Sequence, residues 1–339
     1  MAVYRGAMLK KWFVPEIWFT LALLAATFAA SLALGLPLSL PSGDRAAFVG
    51  IHYLYPLVGV AIWGLVALIG QRRNLARTFF IALPCYATVL ICHFNLKLLG
   101  PHINPLLWDD LYWQIDTVLR PLVDGCMKLR LALAAFIPLE SNFYMTSFIT
   151  MFYLTFCTHA LRGAHEFRTV FLAALLFQGL GAIAYMIMPA LGPFLYETGV
   201  EPAQTAAQAS MLGAYREHLA GGADWLARNG GTHLTVGLAA MPSLHTGGSF
   251  LFLLFAARYA KVLIPLYSML FGFIAIDAVA SRWHYVIDLP VGMALAWGCF
   301  ALAHRLNPGG AEGEAVTARN VLGQLRGLLP ARRPAADAA

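Results

Sequence analysis

Apolar residues run along this chain in blocks of about twenty, separated by short polar clusters. Twenty helical residues at 1.5 Å each span the ~30 Å hydrocarbon thickness of a bilayer. The blocks fall near 15–38, 50–70, 78–100, 142–161, 168–189, 243–260, 262–280 and 284–304. They predict an all-α, polytopic transmembrane helix bundle of about eight spans. From Lys261 to His304 the apolar pattern is nearly unbroken, yet one helix of that length would measure about 66 Å, twice the hydrocarbon thickness. The chain must turn back inside it, and the clearest polar gap is Ser281-Arg282-Trp283-His284. That turn puts His284 at the start of the last helix.

Three stretches do not span. Residues 101–140 combine Trp108, Tyr112, Trp113 and four aspartates with apolar positions, the composition of helices lying in a membrane interface. Residues 190–241 mix Gly, Ala, Pro and scattered charges and are expected to form the longest outer loop. From 307 the chain turns to Gly, Ala, Pro and Arg. Residues 1–306 are therefore expected to form one transmembrane catalytic domain, and 307–339 a poorly ordered cytoplasmic tail. No internal repeat is evident, so inverted transporter halves gain no support.

Composition agrees: 60% of the 339 residues are hydrophobic and 12% charged, about half the usual charged share of a soluble domain. The 23 Lys and Arg exceed the 17 Asp and Glu. They cluster at the ends of apolar blocks, not along one stripe with interleaved aromatics, which argues against nucleic acid and for membrane topology. With the N-terminus inside, most of them become cytoplasmic: Arg5/Lys10/Lys11, Arg72/Arg73/Arg77, Arg162/Arg168, Arg258/Lys261, and Arg305 with the tail arginines. The expectation is a multi-pass protein of the plasma or inner membrane with both termini cytoplasmic. The apolar run after Lys11 is longer than the apolar region of a cleaved signal peptide and is taken as the first helix. Cys85, Cys92, Cys126, Cys157 and Cys299 form no CxxC pair and mostly lie in apolar blocks, so they are expected to be small core residues.

His284 and Asp288 stand four residues apart, close enough for the carboxylate to hold the imidazole. A carboxylate on one ring nitrogen fixes the tautomer and makes the other a better base or nucleophile. A second histidine, His245, lies in Met241-Pro242-Ser243-Leu244-His245-Thr246-Gly247-Gly248. Pro242 suits the first turn of a helix, and Ser243, Thr246 and the small glycines would let backbone N–H groups approach a phosphate. The topology brings His245, His284 and Asp288 to the outer face together. One histidine could attack phosphorus while the other protonates the departing alkoxide. No nucleotide loop is present, and no cofactor or metal is expected.

Met-Pro-Ser-Leu-His at 241–245 with His-Tyr-Val-Ile-Asp at 284–288 resembles the paired signatures of the type 2 phosphatidic acid phosphatase superfamily. The form is most similar to its inositol phosphorylceramide synthase branch, as is Pro189-Ala190-Leu191-Gly192-Pro193. Signatures span about 185–295, within a family-like core of about 140–305 that would form a six-helix bundle. The resemblance implies His284 as nucleophile, Asp288 as its activating residue and His245 as acid/base. Three features depart from the phosphatases of the superfamily, the first being Leu244 where those enzymes usually carry the glycine of Pro-Ser-Gly-His. Arg120-Pro121 lacks a lysine at the right spacing, and Ser281-Arg282 stand closer to the histidine than in those enzymes. The phosphate clamp is thus left to other residues. Arg282 leads, because a guanidinium can grip two phosphate oxygens, and Lys97 follows, although its position suits snorkelling to the interface. Asp277, inside a spanning block, requires a counter-charge that the sequence does not name.

These residues lead to a membrane phosphotransferase that moves an inositol-phosphate-like head group from a phospholipid donor to a lipid acceptor through phosphohistidine. A lipid phosphate phosphatase, acting on phosphatidate or a polyprenyl diphosphate, would use the same residues with water as acceptor. A metal-binding membrane protein is a further alternative, since two imidazoles and a carboxylate suit zinc, although no fourth ligand is evident.

Overall fold

The computed structural model describes residues 14–42, 58–59, 61–70, 73–236 and 240–308. The basic N-terminal cluster, residues 50–57 and 60 of the 50–70 block and residues 309–339 of the expected tail lie outside them. The described chain is all-α. In order come α1 (Pro15–Leu34), α2 (Arg73–Ile103), α3 (Asp109–Val118), α4 (Arg120–Leu133), α5 (Phe143–Arg162), α6 (Ala164–Ile187), α7 (Pro202–Asn229), α8 (Leu244–Tyr259), α9 (Ile264–Ala280) and α10 (Asp288–Leu306). Seven of the eight expected blocks coincide with these helices, namely α1, α2, α5, α6, α8, α9 and α10, and residues 58–59 and 61–69 of the remaining block are helical as well. Five described segments are long and apolar enough to cross a membrane by themselves: α1, α2, α6, Lys261–Ala280 and α10. The 16-residue α8 falls short because it is only about 24 Å long.

Local signals explain the ends. Proline occupies the first turn of α1, α4, α7 and α9, where its missing N–H costs nothing. Gly35 closes α1 at φ 64°, a left-handed cap that suits a residue without Cβ. The spanning helices are apolar nearly all round, as helices that face both lipid and protein must be.

The buried helix α6 forms the centre of the bundle, with α1, α2, α5, α8 and α10 against it. Glycines bring the neighbours close. A Cβ on Gly179 would strike Phe19 of α1, and one on Gly181 would strike Leu244 of α8. Where α8 crosses α10, a Cβ on Gly247 would meet the Gly292 carbonyl, and one on Gly292 the Ser243 carbonyl. This contact lets Ser243 N–H donate to the Asp288 carbonyl at 3.1 Å, joining the starts of the two helices. Gly292→Ala is expected to destabilise the protein by about 1–3 kcal/mol, because backbone cannot move aside as a flexible side chain can. Thermal unfolding in detergent checks it.

The starts of α1 and α6 lie at the end of the bundle where α10 finishes. Arg168 grips Glu16 at 2.6 Å, and Asn307 donates to the His165 carbonyl at 3.1 Å. At the opposite end lie α3, α4 and α7. The buried residues of α3 are Asp109, Tyr112 and Asp116, whereas Leu111 and Val118 are exposed. That is amphipathicity turned outward, as an interfacial helix requires. On α4, Leu122, Leu129 and Leu131 are exposed and Arg130 is buried.

Arg130 resolves the question of Asp277. Its guanidinium lies 2.6 Å from Asp277 and 2.5 Å from Glu201, and it also donates to the carbonyls of Ile137 and Pro138. Burial and the adjacent Asp277 push the Glu201 carboxyl above the usual carboxylate range, and the one guanidinium bridges both carboxyls. Removing the arginine strands both, and Arg130→Ala is expected to cost about 3–5 kcal/mol, measured by thermal or denaturant unfolding.

The expected 190–241 loop is largely helix. In α7 the buried residues Gln208, Tyr215, His218, Trp225 and Leu226 recur at helical spacing, with Tyr215, Trp225 and Leu226 packed over the ends of α1 and α2 and Gln208 donating to the Ser281 carbonyl. His218 meets His102 of α2, Nε2 to Nε2 at 3.2 Å. Burial and that neighbouring ring push His218 down to about 4, so it is neutral at pH 7. A kink at Gly222, φ 50°, divides the helix. Among the described residues all five cysteines are free, with Cys85, Cys92 and Cys299 buried and Cys157 exposed.

Candidate active site

The turn between α9 and α10 spans residues 281–287. It falls where the polar gap predicts, but α10 begins only at Asp288. His284 is therefore in the turn and not on the last helix. Its ring still meets Asp288, with Nδ1 3.3 Å from Oδ2. The same Nδ1 is closer to the Ala240 carbonyl, at 2.8 Å. A carbonyl only accepts, so Nδ1 carries the proton and Nε2 presents its lone pair. Asp288 is fully buried and its Oδ2 also accepts from Tyr285 N–H at 2.8 Å, which anchors the carboxylate beside the ring.

Ser243 caps α8, and Pro242, joined to Met241 by a cis peptide bond, lies before the cap and outside the first turn. The hydroxyls of Ser243 and Thr246 are buried and bonded to each other at 3.0 Å. What this helix start presents is backbone, the N–H groups of its first turn. His245 is partly exposed, edge-on to Tyr144 at 5.3 Å and Phe148 at 4.9 Å on α5. It lies within electrostatic reach of both His284 and Lys97.

Lys97 departs most from expectation. It does not snorkel: the residue is 8% exposed, with its ammonium 5.4 Å from the centre of the Tyr185 ring. His93, one turn earlier on α2, donates Nδ1–H to the Gln178 carbonyl at 3.0 Å and lies within electrostatic reach of Lys97 and His245. No described carboxylate pairs with Lys97. Arg282 has the opposite surroundings. It is fully buried, bonded to Asp116 at 3.0 Å, 3.4 Å from Glu197 and under the Trp113 ring. Glu197 in turn binds Arg120, which also pairs with Asp124.

The Pro189–Pro193 segment threads between these parts. The Pro189 carbonyl accepts from Trp108 N–H, the Ala190 carbonyl from Ala240 N–H, and the Arg282 carbonyl from Phe194 N–H. Gly192, at φ 139°, passes so close to the Trp283 carbonyl that a Cβ there would collide with it. Sequence reasoning missed Ala240, His93, Tyr144, Tyr185, Asp109 and Asp116. Only the helical spacing of His93 and Lys97 hinted at any of them. His233 lies against Trp225 near the end of α7, and His159 against Glu166 at the far end of the bundle. Among the described residues no group of three or more His, Cys, Asp or Glu is arranged to hold a metal ion.

A family model described as the PAP2 superfamily matches residues 131–302, which carry both histidines and Asp288. No curated protein and no solved structure shows a significant match to the chain.

Proposed function

The chain belongs to the PAP2 superfamily of lipid phosphatases and phosphotransferases, and from that premise we propose that it is a phosphotransferase acting through phosphohistidine at His284. Nε2 of His284 attacks the phosphorus of a phospholipid donor, forming a P–N bond as the bond to the lipid alkoxide breaks. His245 delivers a proton to that alkoxide. The same residue then takes the proton of the acceptor hydroxyl, whose oxygen attacks phosphorus and releases His284. Asp288 and the Ala240 carbonyl hold the Nδ1–H tautomer and stabilise the charge that the ring gains on attack.

The observation that carries this reading is a buried cation, Lys97, within electrostatic reach of His245 and with no described carboxylate paired to it. Lys97 is an ammonium whose natural counter-ion is the substrate phosphate, aided by the first-turn N–H groups of α8. The clamp is assigned accordingly: Lys97 and the α8 backbone meet the phosphate, Ser243 and Thr246 shape that turn, and Arg282 supports the catalytic turn. An inositol-phosphate-like head group and a ceramide or diacylglycerol acceptor belong to the same proposal, on the Pro-Ser-Leu-His form of the second signature. So does an outer-face site, on the distribution of basic residues.

The test is to supply the purified full chain, in vesicles, with a head-group-labelled phospholipid and either ceramide or diacylglycerol. A His284-dependent labelled phosphodiester is the expected product. His284-dependent inorganic phosphate from phosphatidate or a polyprenyl diphosphate, without transfer, would make water the acceptor and overturn the transferase assignment.

A further inference from the structure

Between α9 and α10 the turn is held from several sides: the N–H groups of Ser281, Arg282 and His284 donate to α9 carbonyls and that of Tyr285 to Asp288, whereas that of Val286 reaches neither helix, in a setting where an unmade hydrogen bond costs free energy. What satisfies Val286 is α3, which also binds the side chains of Arg282 and Tyr285. Its Asp109 and Asp116 are seven residues apart, two helical turns, and so share one face. Asp109 accepts from Leu191 N–H at 3.0 Å, Gly192 N–H at 2.9 Å and the Tyr285 hydroxyl at 2.8 Å. Asp116 accepts from Val286 N–H at 2.9 Å and Arg282 Nη2 at 3.0 Å. Residues on both sides of His284 are thereby tied to one rigid element.

Arg282 shows why such a tie is required. Its φ of 61° is a left-handed conformation uncommon for a residue with a side chain. Such a conformation persists where its surroundings over-determine it. Here they do so through the Asp116 carboxylate, the Trp113 ring and the hydrogen bond from Phe194 N–H to the Arg282 carbonyl.

We propose that α3 is the positioning element of the catalytic turn, with Asp109 and Asp116 holding the backbone that carries His284. Neither aspartate touches a reacting atom, so both are positioning residues. The assignment rests on His284 being the nucleophile. It also goes beyond family membership, because α3 precedes the matched region 131–302. The opposite face of α3, with Leu111 and Val118 exposed, seats the helix in the interface, so the geometry of the turn is referred to the membrane surface itself.

Asp116→Asn, Asp116→Glu, Asp109→Asn and His284→Ala in the full chain, reconstituted in phosphatidylcholine vesicles containing the labelled donor and acceptor, provide the test. For Asp116→Asn the expected kcat is about a hundredfold lower, the cost of a misplacement near 1 Å, with KM within about threefold. Asp116→Glu restores part of kcat. Hydrogen exchange followed by mass spectrometry is expected to quicken by about tenfold or more in the peptide covering 281–287, the loss of one charged hydrogen bond, while the other spans are unchanged. Wild-type kcat and wild-type exchange in Asp116→Asn would overturn the proposal. Loss of activity with faster exchange throughout the chain would also overturn it, as a global structural role. Asp109→Asn is an independent variant with the same expectation should Asp116→Asn fail to fold. If the wild type makes no His284-dependent product, the proposed function fails, and the exchange data still decide whether α3 holds the turn.

Discussion

His284→Ala is expected to lower turnover by about four orders of magnitude or more, the scale seen when a covalent nucleophile is removed and only binding and electrostatic stabilisation remain. The size follows from the site. The His284 Nε2 lone pair is fixed by two acceptors on Nδ1, the Ala240 carbonyl at 2.8 Å and Asp288 at 3.3 Å. His245 has no such arrangement among the described residues and lies against the aromatic rings of α5. The two histidines should therefore fail differently. A His245→Ala enzyme should still accumulate phosphohistidine from a donor with a good leaving group, which needs no protonation, and His284→Ala should not. Acid-labile, base-stable labelling of the protein, followed by peptide mapping, checks this. A His284→Ala protein with full turnover removes the assignment of the nucleophile.

Lys97→Met is expected to lower kcat/KM by about 10²–10³-fold, the usual cost of one donor aimed at charge that develops in the transition state. The same change is expected to raise thermal stability, by about 2 °C or more. The two effects have opposite signs because Lys97 is buried beside the Tyr185 ring, His93 and His245, with no described carboxylate paired to it. In the free protein the desolvated ammonium is a cost without a counter-charge, and methionine of similar length removes it. On the proposed function, that ammonium meets phosphate once substrate is bound, and the cost becomes affinity. Lys97→Arg keeps the charge and should retain part of the activity, although the planar guanidinium does not fit a site shaped for a point charge. Steady-state kinetics and unfolding in one detergent decide the matter: unchanged kcat/KM in Lys97→Met returns Lys97 to a packing role.

The contrast between Lys97 and Arg282 shows where sequence reasoning stops. Both are cations near the ends of apolar blocks, and spacing favours Arg282, two residues from His284. Which one is available for a substrate depends on carboxylates far away in the chain. Asp116 lies 166 residues from Arg282 and occupies its Nη2, whereas no described carboxylate reaches Lys97. Asp277 is a similar case, since Arg130 is 147 residues away on a helix whose exposed face is apolar. The helix α7 was legible in principle, because Gln208, Tyr215, His218 and Trp225 keep helical spacing, but its many Gly, Ala and charged residues mask the period.

By itself the sequence determined the membrane class, the positions of the apolar helices, the reversal at 281–284 and the grouping of His245, His284 and Asp288. These follow from length, hydropathy and short spacings, which are local properties of a chain whose backbone must satisfy its own hydrogen bonds in lipid. Only the tertiary structure decided which carbonyl meets His284 Nδ1, which cation is paired with a buried carboxylate and which helix packs against the 281–287 turn. Each of these depends on the close crossing of α8 and α10 at Gly247 and Gly292 or on the seating of α3 against the turn. Such contacts join residues distant in sequence through packing, and no local periodicity encodes them.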